Sequence, residues 1–268
     1  MSGYRLSLRA PLPVRVDFSG ITPTALAALS AGEAARRRVP FGAGTAALGD
    51  LFHMAAGEAG TLVVSGDARL DFIGAGLDAG EIRVEGPAGA FAGSGMAGGR
   101  LVIAGDAGDG LAAGLVDGHV RVAGSAGALL GCALPGERAG MKGGLVEVAG
   151  AVGPRLGARL RGGLVLVGGD AGPGAAEGLV AGTLAVAGRV AAGAGRGMKR
   201  GTLLLAHAAE APATGFVETG PQDFVMLRLL ARRVPALAAL FGGSVSGRAG
   251  RWVGDRLAGG EGEMILLA

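Results

Sequence analysis

The chain has 268 residues, of which 56 are glycine and one is cysteine; 50% are hydrophobic, 18% are charged, and the net charge is +3. So much apolar surface with so little net charge excludes intrinsic disorder, and glycine that does not recur at every third residue excludes collagen. The single cysteine excludes an intrachain disulfide framework and favours a reducing cytoplasm, and 4% aromatic residues are too few for a surface that stacks on nucleic acid.

Nothing in the chain predicts a membrane span or a secretory leader. No stretch without charges exceeds 15 residues, whereas a membrane-spanning helix needs about 20 consecutive apolar residues. The N-terminal segment carries Arg5, Arg9 and Arg15 with no apolar run between them, unlike a signal peptide. We therefore expect a cytoplasmic protein that binds neither a membrane nor nucleic acid.

The N-terminal segment is predicted to form two strands and a short helix. Alternating apolar residues indicate a strand at Tyr4–Leu8 and a second one near Val14–Phe18. The helix is predicted to begin at Thr22 or Thr24 and to end near Arg38. These elements would cap the array of repeats that follows, because a stacked array needs covered ends.

A glycine repeat runs through the middle of the chain. Eight times a glycine precedes an alternating apolar segment, at intervals of 19 residues except for one of 20 and one of 26. These anchor glycines are Gly60, Gly80, Gly99, Gly118, Gly144, Gly163, Gly182 and Gly201. We interpret the longest interval as one unit with a seven-residue insertion within 136–143. Six residues after the anchor, seven of the eight units have a second glycine, and the last has His207.

Each unit is predicted to form one coil of a stacked array. Residues two and four positions after the anchor are aliphatic in every unit, which predicts a five-residue strand with one buried face. A second apolar column stands three residues before the next anchor, at Leu77, Met96, Leu115, Met141, Leu160, Leu179 and Met198. One unit cannot bury its own apolar face, so the units must stack. Glycines would serve at corners that need positive φ and in a narrow interior.

The resulting prediction is an all-β protein: a right-handed parallel β-helix of about eight 19-residue coils with short α/β caps at both ends. The β-helix is assigned to 41–207, between an N-terminal cap at 1–40 and a C-terminal helix and extension at 208–268. The segment PQDFVMLRLLARRVPALAALF (221–241) predicts an amphipathic helix that Pro235 ends or kinks. We expect this segment to pack on the solenoid.

No set of residues predicts chemistry on this chain. A GxGxxG motif at 93–98 lies between two strands and not between a strand and a helix, so it does not indicate a dinucleotide site. Three aspartates, Asp67, Asp106 and Asp170, share one position of the repeat, where turn chemistry explains them better than metal ligation does. We expect no metal and no directly bound cofactor.

The histidines and the cysteine are also expected to be structural or solvent-facing. His53, His119 and His207 are far apart in sequence, and no HxH, HExxH or CxxC spacing is present. His119 takes an outward position and is expected to meet solvent or a partner. Cys132 is expected to be a small buried side chain and not a nucleophile. The chain on its own is therefore predicted not to be an enzyme.

The repeat unit resembles the GXGXG β-helix family. Its pattern is G-x-h-x-h-x-G, then small residues, then Met or Leu, then Gly-Gly. That family includes the C-terminal domain of the glutamate synthase large subunit and the C subunit of formylmethanofuran dehydrogenase. Three further segments are similar to the C subunit specifically: LGDLF (48–52), EGPAGAFAGSGMAGGRLVIAGDAG (85–108) and RWVGDRLAGGEGEMIL (251–266). The resemblance covers 41–268, and most of it lies in 41–207.

The resemblance implies a structural subunit of a one-carbon enzyme complex. In methanogenic archaea, the C subunit belongs to a molybdenum or tungsten formylmethanofuran dehydrogenase. In methylotrophic bacteria, a similar subunit belongs to the formyltransferase/hydrolase complex. There a formyl group passes from tetrahydromethanopterin to a methanofuran-type carrier and is released as formate. The Arg- and Ala-rich composition favours the bacterial complex.

The same resemblance implies the partners. An amidohydrolase-like subunit, a second dehydrogenase-like subunit and a formyltransferase subunit would carry the chemistry, and this chain would scaffold them. Two alternatives stay open: a β-helix domain protein of a glutamate-synthase-like system, and a free-standing carbohydrate-active β-helix.

Two outer surfaces have interpretable patterns. The outward side of the strands is charged in the early coils and apolar in the later ones, and we expect either the 221–241 helix or a partner subunit to cover the apolar part. The later coils also carry a basic group, with Lys142, Arg161 and Lys199 at one position of the repeat and Arg138, Arg155, Arg159, Arg196 and Arg200 nearby. This group is either a solvated face or a binding site for an anionic ligand. Because methanofuran-type carriers bear glutamate-rich tails, Lys142, Arg159, Arg161 and Lys199 are hypothetical contacts for such a tail.

Overall fold

The computed structural model describes residues 3–210, 212–243, 245 and 247–267. Its strands are β1 (Gly3–Leu8), β2 (Val16–Asp17), β3 (Arg38–Phe41), β4 (Gly44–Ala47), β5 (Phe52–Gly57), β6 (Thr61–Ser65), β7 (Leu70–Asp71), β8 (Glu81–Glu85), β9 (Ala97–Ile103), β10 (Asp117–Val122), β11 (Leu145–Val148), β12 (Leu164–Val167), β13 (Thr183–Val186), β14 (Thr202–Leu205), β15 (Val217–Asp223), β16 (Arg248–Gly254) and β17 (Gly262–Leu267). Its α-helices are α1 (Pro23–Ala27), α2 (Ala31–Arg36), α3 (Leu48–Leu51), α4 (Val225–Arg233) and α5 (Pro235–Leu240). The protein is therefore all-β, as the sequence predicts, with short helices near both ends of the chain.

One mixed sheet of 13 strands joins most of these elements. Its order is β15-β16-β17-β14-β13-β12-β11-β10-β9-β8-β6-β1-β5. Between β1 and β17 every neighbouring pair in that order is parallel, whereas β5, β15 and β16 pair antiparallel at the two ends. The eight strands β6 and β8 to β14 are the strands of the eight predicted repeat units. A smaller four-stranded sheet has the order β4-β3-β2-β7.

Equivalent residues of successive units lie side by side. Val146 pairs with Val165, Val165 with Leu184, and Leu184 with Leu203, so each unit is one step along the sheet. A second row of isolated parallel bridges links the same coils on another side, at Ala88–Ala107–Ala126–Val152–Ala171–Val190. The units are thus stacked in register along two separate rows.

The interior is built from the predicted apolar columns. Both aliphatic residues of each strand are at most 2% exposed, from Leu62 to Leu205. All seven Leu and Met residues of the second column, from Leu77 to Met198, are 0% exposed. These columns form one continuous hydrophobic core along the stack.

The two glycine columns have different physical causes. The anchor glycines all have positive φ, between 69° and 110°, as predicted for corners. The second glycines do not, apart from Gly86 at 143°. At the other six, a Cβ would lie only 2.2–2.6 Å from an atom of a neighbouring coil. These residues are glycine because two coils approach too closely for a side chain, a cause that the glycine period alone did not separate from the corners.

The N-terminal cap differs in detail from the prediction. The second strand is only Val16–Asp17, and the single predicted helix is two helices. Thr22 caps α1 by accepting the Ala25 N–H, and Ser30 begins α2 in a reciprocal capping box with Glu33. A second capping residue inside a helical pattern favours a new start over continuation. The hairpin of β3 and β4 begins at Arg38, where the predicted helix ends, and the sequence analysis does not predict it.

The C-terminal segment covers the apolar outward stripe. Of the predicted helix 221–241, the first residues belong to β15, and the rest divides into α4 and α5 with Pro235 at the first turn of α5. Leu227 and Leu237 are 0% exposed and form a second core with outward residues of the later coils. The buried outward residues are Leu166, Ala185 and Leu204, together with Ile265 of β17. Within the described ranges, no helix is long and apolar enough to cross a bilayer.

Candidate functional site

The structure places three of the four predicted contact residues at one position on the coils. The backbone N–H groups of Lys142, Arg161 and Lys199 donate to carbonyls of the second apolar column of the preceding coil. Lys142 and Arg161 are therefore on adjacent coils, and Lys199 is two coils beyond Arg161, with Val180 between them. Two steps of a parallel sheet are about 10 Å. All three side chains are exposed.

Arg159 joins this group from the neighbouring corner. Its φ is 57°, and its backbone N–H donates to the Glu177 carbonyl of the next coil. Its side chain is exposed and lies beside Gly178 of the next coil, where a Cβ would be 3.6 Å from the Arg159 Cγ. We call Lys142, Arg159, Arg161 and Lys199 the basic ridge.

Only one of the four residues of the basic ridge forms an ion pair within the described part of the chain. Lys142 donates to Glu137 at 3.2 Å, within the insertion that precedes it. Arg159, Arg161 and Lys199 have no ion-pair partner among the residues that the structure describes. Three cations thus face solvent without a carboxylate, on the same side of the later coils. This is the arrangement that a flexible polyanion can bridge.

A cluster of three charged residues, Arg155, Glu177 and Arg196, lies beside the ridge and was not predicted from the sequence. We call this cluster the clamp. Glu177 accepts from Arg155 and from Arg196, at 2.8 Å each. Burial alone raises the pKa of the Glu177 carboxyl, but the hydrogen bond from Arg196 and the charge of Arg155 outweigh burial, and the pKa lies below its ordinary value. Glu177 and Arg196 are 19 residues apart, one full coil. That offset was the signal that could have predicted the pair.

The clamp borders a surface groove of about 420 Å³. Its lining combines small and ring residues, among them Pro154 and Pro173, with Arg155, Glu177 and Arg196. Because Glu177 already neutralises one arginine, the groove offers less positive charge than its arginines alone suggest. The uncompensated charge of this region therefore resides mainly on the basic ridge.

The aspartates of the repeat make structural contacts, but only Asp67 makes the turn contact that the sequence predicts. Asp106 and Asp170 each accept a backbone N–H of the next coil, at 2.7 Å. Asp67 accepts the N–H groups of Leu12 and Arg69. The prediction did not foresee that these carboxylates join separate coils. No group of three or more His, Cys, Asp or Glu that could hold a metal occurs in the described part of the chain.

His119 and Cys132 are both engaged within the chain. The His119 ring bonds to Glu147 of the next coil, with Nε2 and Oε1 2.5 Å apart, a contact that the prediction of a solvent or partner contact did not foresee. Cys132 is 8% exposed, as predicted, and burial raises the pKa of its thiol. A raised thiol pKa lowers the thiolate fraction, which is the nucleophilic form.

Comparison with known proteins gives one partial and one nearly complete match. No protein-family model matches the chain. The curated C subunit of the formyltransferase/hydrolase complex Fhc of Methylorubrum extorquens is 45% identical over 85 residues, which are 31% of this chain and 32% of that relative. The aligned segment thus spans about a third of the curated relative.

The second match is a solved structure. A chain in the X-ray crystal structure of the formyltransferase/hydrolase complex FhcABCD from Methylorubrum extorquens, in complex with methylofuran, has a TM-score of 0.90 to this one. The two chains are 38% identical, and the alignment covers 98% of this chain and 99% of the other. The whole fold, with both caps, is shared with that chain.

Proposed function

We propose that this chain, which belongs to the C-subunit family of the formyltransferase/hydrolase complex, is a structural subunit of such a complex and carries no reaction itself. The nearly full-length match, at 38% identity, to a chain of the FhcABCD complex carries this proposal. The family predicted from the glycine repeat and the flanking motifs is thereby confirmed, and the two alternative classes lose their support.

The proposed complex transfers a formyl group from tetrahydromethanopterin to a methanofuran-type carrier and releases it as formate. In this proposal the partners are an amidohydrolase-like subunit, a second dehydrogenase-like subunit and a formyltransferase subunit, which perform the chemistry in the cytoplasm. The methylofuran present in the related solved complex supports a carrier of this type. Neither the carrier's formyl end nor the pterin would be bound by this chain directly.

The scaffold role is supported by how the polar side chains are used. Asp106, Asp170 and Ser125 bond to backbone N–H groups of the next coil, and His119 bonds to Glu147. Groups that could act as bases or ligands therefore hold coils together. A rigid stack of this kind can keep separate active sites at fixed positions.

We infer the winding and the divisions of the chain from the same contacts. Two rows of parallel pairing with one coil per step support a right-handed parallel β-helix, since parallel crossovers are right-handed in nearly all proteins. The array would occupy most of 41–207, with caps at 1–40 and 208–268, and the antiparallel hairpin of β3 and β4 crosses the first of these divisions. Each cap also supplies one strand to the stack, β1 at one end and β17 at the other.

Within this role, the basic ridge is proposed to hold the anionic tail of the carrier. Arg159, Arg161 and Lys199 have no partner among the described residues, and Lys142 has only an exposed one. Exposed ion pairs contribute about 0.5 kcal/mol each, so three contacts would contribute about 1.5 kcal/mol, or roughly tenfold in affinity. A weak, distributed attachment of this kind would leave the carrier free to move between sites.

Purification of the complex tests the scaffold role. A tagged chain co-expressed with the three partner subunits should purify with all of them and with formyltransferase/hydrolase activity. A lone monomer that has hydrolase activity would contradict the proposal.

Substitution of the basic ridge tests whether it binds the anionic tail of the carrier. The triple variant Arg159→Ser, Arg161→Ser and Lys199→Ser should raise the KM for the carrier about tenfold, without loss of subunits, and less so at high salt. The matched control replaces Arg36, Arg37 and Arg69 by serine, which removes the same charge from exposed sites near the other end. An equal KM in the ridge variant and the wild type would refute this binding.

A further inference from the structure

The outer face of α4 carries an exposed apolar cluster. Val225 is 56% exposed, Met226 42% and Leu229 58%. Seven large hydrophobic side chains are exposed in the part of the chain that the structure describes, and these three share a single helix. Isolated exposed apolar residues are ordinary, but a contiguous group is a feature of interaction sites.

Helix geometry puts the three side chains together. At about 100° per residue, with Val225 at 0°, Leu229 lies near 40° and Met226 near 100°. Leu227 lies near 200°, on the opposite side, and is the buried residue that anchors α4 to the coils. The helix therefore has two apolar faces, and the second core accounts for only one of them.

Two cations complete the outer face of α4. On the same scale Arg232 lies near −20° and Arg233 near 80°, so both lie close to the sector that holds the apolar cluster. Both are exposed, and neither has an ion-pair partner within the described ranges. Arg228, outside the sector, donates to Asp223 at 2.7 Å and is neutralised. Cations in the last turn favour the helix dipole, but that effect does not explain the exposed Val225 and Leu229.

The helix that carries this face is packed firmly on the later coils. Leu227 of α4 and Leu237 of α5 pack with Leu166, Ala185 and Leu204, all at most 3% exposed. A partner that binds the outer face would therefore meet a helix already fixed on the coil stack, and binding would not have to order it.

We propose that the outer face of α4 docks a partner subunit through a surface that presents apolar side chains beside carboxylates. The apolar cluster supplies the desolvated centre, and Arg232 and Arg233 supply the charged rim that selects an acidic partner and orients it. The inference rests on the proposed function, because the partner is taken to be another subunit of the complex. A second copy of this chain is disfavoured, since it would bring like charges together at the rim.

The test uses the chain co-expressed with its three partner subunits. Met226→Ser with Leu229→Ser should raise the dissociation constant of one partner subunit at least tenfold. Native mass spectrometry on dilution of the purified complex measures this change. Arg232→Ser with Arg233→Ser should weaken the same subunit's binding about threefold, with a smaller salt dependence than the wild type. The matched control is Val116→Ser with Leu257→Ser, two exposed residues elsewhere, which should leave the complex unchanged.

A contact map identifies the partner surface. A photo-crosslinker attached at Met226→Cys in the assembled complex should capture one subunit, at a segment with apolar residues and carboxylates. Capture at a segment without carboxylates, or capture of a second copy of this chain, would overturn the proposed chemistry.

The outcomes separate this inference from its premise. Both helix variants should keep the wild-type circular dichroism spectrum and melt within a few degrees of the wild type, because they change only exposed side chains and the lost helix-dipole contribution is about 1 kcal/mol. If the Met226/Leu229 and the Arg232/Arg233 variants both form complexes as stable as the wild type, the docking face is wrong and the proposed function stands. If the wild-type chain purifies without any partner subunit, the proposed function is wrong and this proposal fails with it.

Discussion

Replacement of Gly188 by alanine tests why the second glycine column exists. Gly188 does not have positive φ, so its backbone is open to any residue, yet its Cβ would lie 2.3 Å from the carbonyl carbon and oxygen of Gly169 on the preceding coil. Ordinary carbon contacts are about 3.5–4.0 Å, so the two coils would have to separate by about 1 Å. The adjacent inter-coil bonds, from Ala187 N–H to the Val167 carbonyl at 2.9 Å and from Arg189 N–H to Asp170 at 2.7 Å, would then be strained.

The expected cost follows from those contacts. Overpacking costs about 1–3 kcal/mol, and two weakened hydrogen bonds add about 1 kcal/mol, so we expect Gly188→Ala to lose about 3 kcal/mol. For a chain of this size that is roughly a 6–12 °C fall in melting temperature. Hydrogen exchange should report the loss around β12 and β13.

A control in the same coil separates close approach from backbone strain. Gly193 has a φ of 81°, and the nearest atom to its Cβ would be 3.9 Å away. Gly193→Ala should lose only about 1 kcal/mol, and Gly193→Asn less, because asparagine tolerates positive φ. Gly188→Asn should be as damaging as Gly188→Ala. If asparagine rescued position 188, or if the two alanine variants melted within about 2 °C of each other, close coil approach would not be the reason for this column.

Two further changes have clear expected outcomes. Asp255 is 4% exposed and accepts two backbone N–H groups, from Gly197 just before the last coil and from Leu257 in its own turn. Asp255→Ala should therefore lower the free energy of unfolding in urea by about 3 kcal/mol. Glu177→Gln should cost about 1 kcal/mol at neutral pH, because its pairs are partly exposed. Since the folded-state pKa of Glu177 is lowered, this stabilisation is complete above about pH 5 and declines as the pH falls through the folded-state pKa. The gap between the wild type and Glu177→Gln should therefore close in acid, and a gap that widened there would contradict the assigned pairing.

The repeated interior could be predicted from the sequence because its physics is periodic. Every coil needs the same buried aliphatic pair and the same corner, so a single residue period reveals both. The N-terminal cap is not periodic, and only the second capping residue, Ser30, shows that the predicted helix is divided. Phe72 and Phe91 also take positive φ, at 58° and 56°, whereas the sequence analysis assigns positive φ to glycines alone. Their rings stack at 5.3 Å, an offsetting contact that appears only once the coils are aligned.

The outer surface was predicted less well, because its pairs join residues that are distant in sequence. The basic residues of the later coils were identified, but Glu177 was not seen between Arg155 and Arg196. The sequence predicts the helix over the apolar stripe as one of two coverings, but its pattern does not separate the two apolar faces of α4. Only the exposure of Val225 and Leu229 reveals the second face.

Residues one coil length apart are the first place to look for the partner of a charged surface side chain. Side-chain contacts across coils recur at a separation of 19 residues: Asp106 with Ser125, Asp109 with Ala128, Asp170 with Arg189 and Glu177 with Arg196. The residues one coil before and after Arg159 are both glycine, and those around Arg161 are a lysine and a valine. No acid stands at these offsets, and Glu177, which lies beside Arg159, is paired with Arg155 and Arg196. Arg159 and Arg161 therefore have no ion-pair partner among the described residues.

One substitution can supply the acid that is missing beside these cations. Val180 lies between Arg161 and Lys199, one coil from each. Val180→Glu would place a carboxylate between the two cations, as Glu177 lies between Arg155 and Arg196, without removing any positive group. If the basic ridge holds an anionic tail, this variant should raise the carrier KM about threefold at low salt, and Val180→Gln should not. An unchanged KM in Val180→Glu, with the complex intact, would mean that the free cations of the ridge do not contact the carrier.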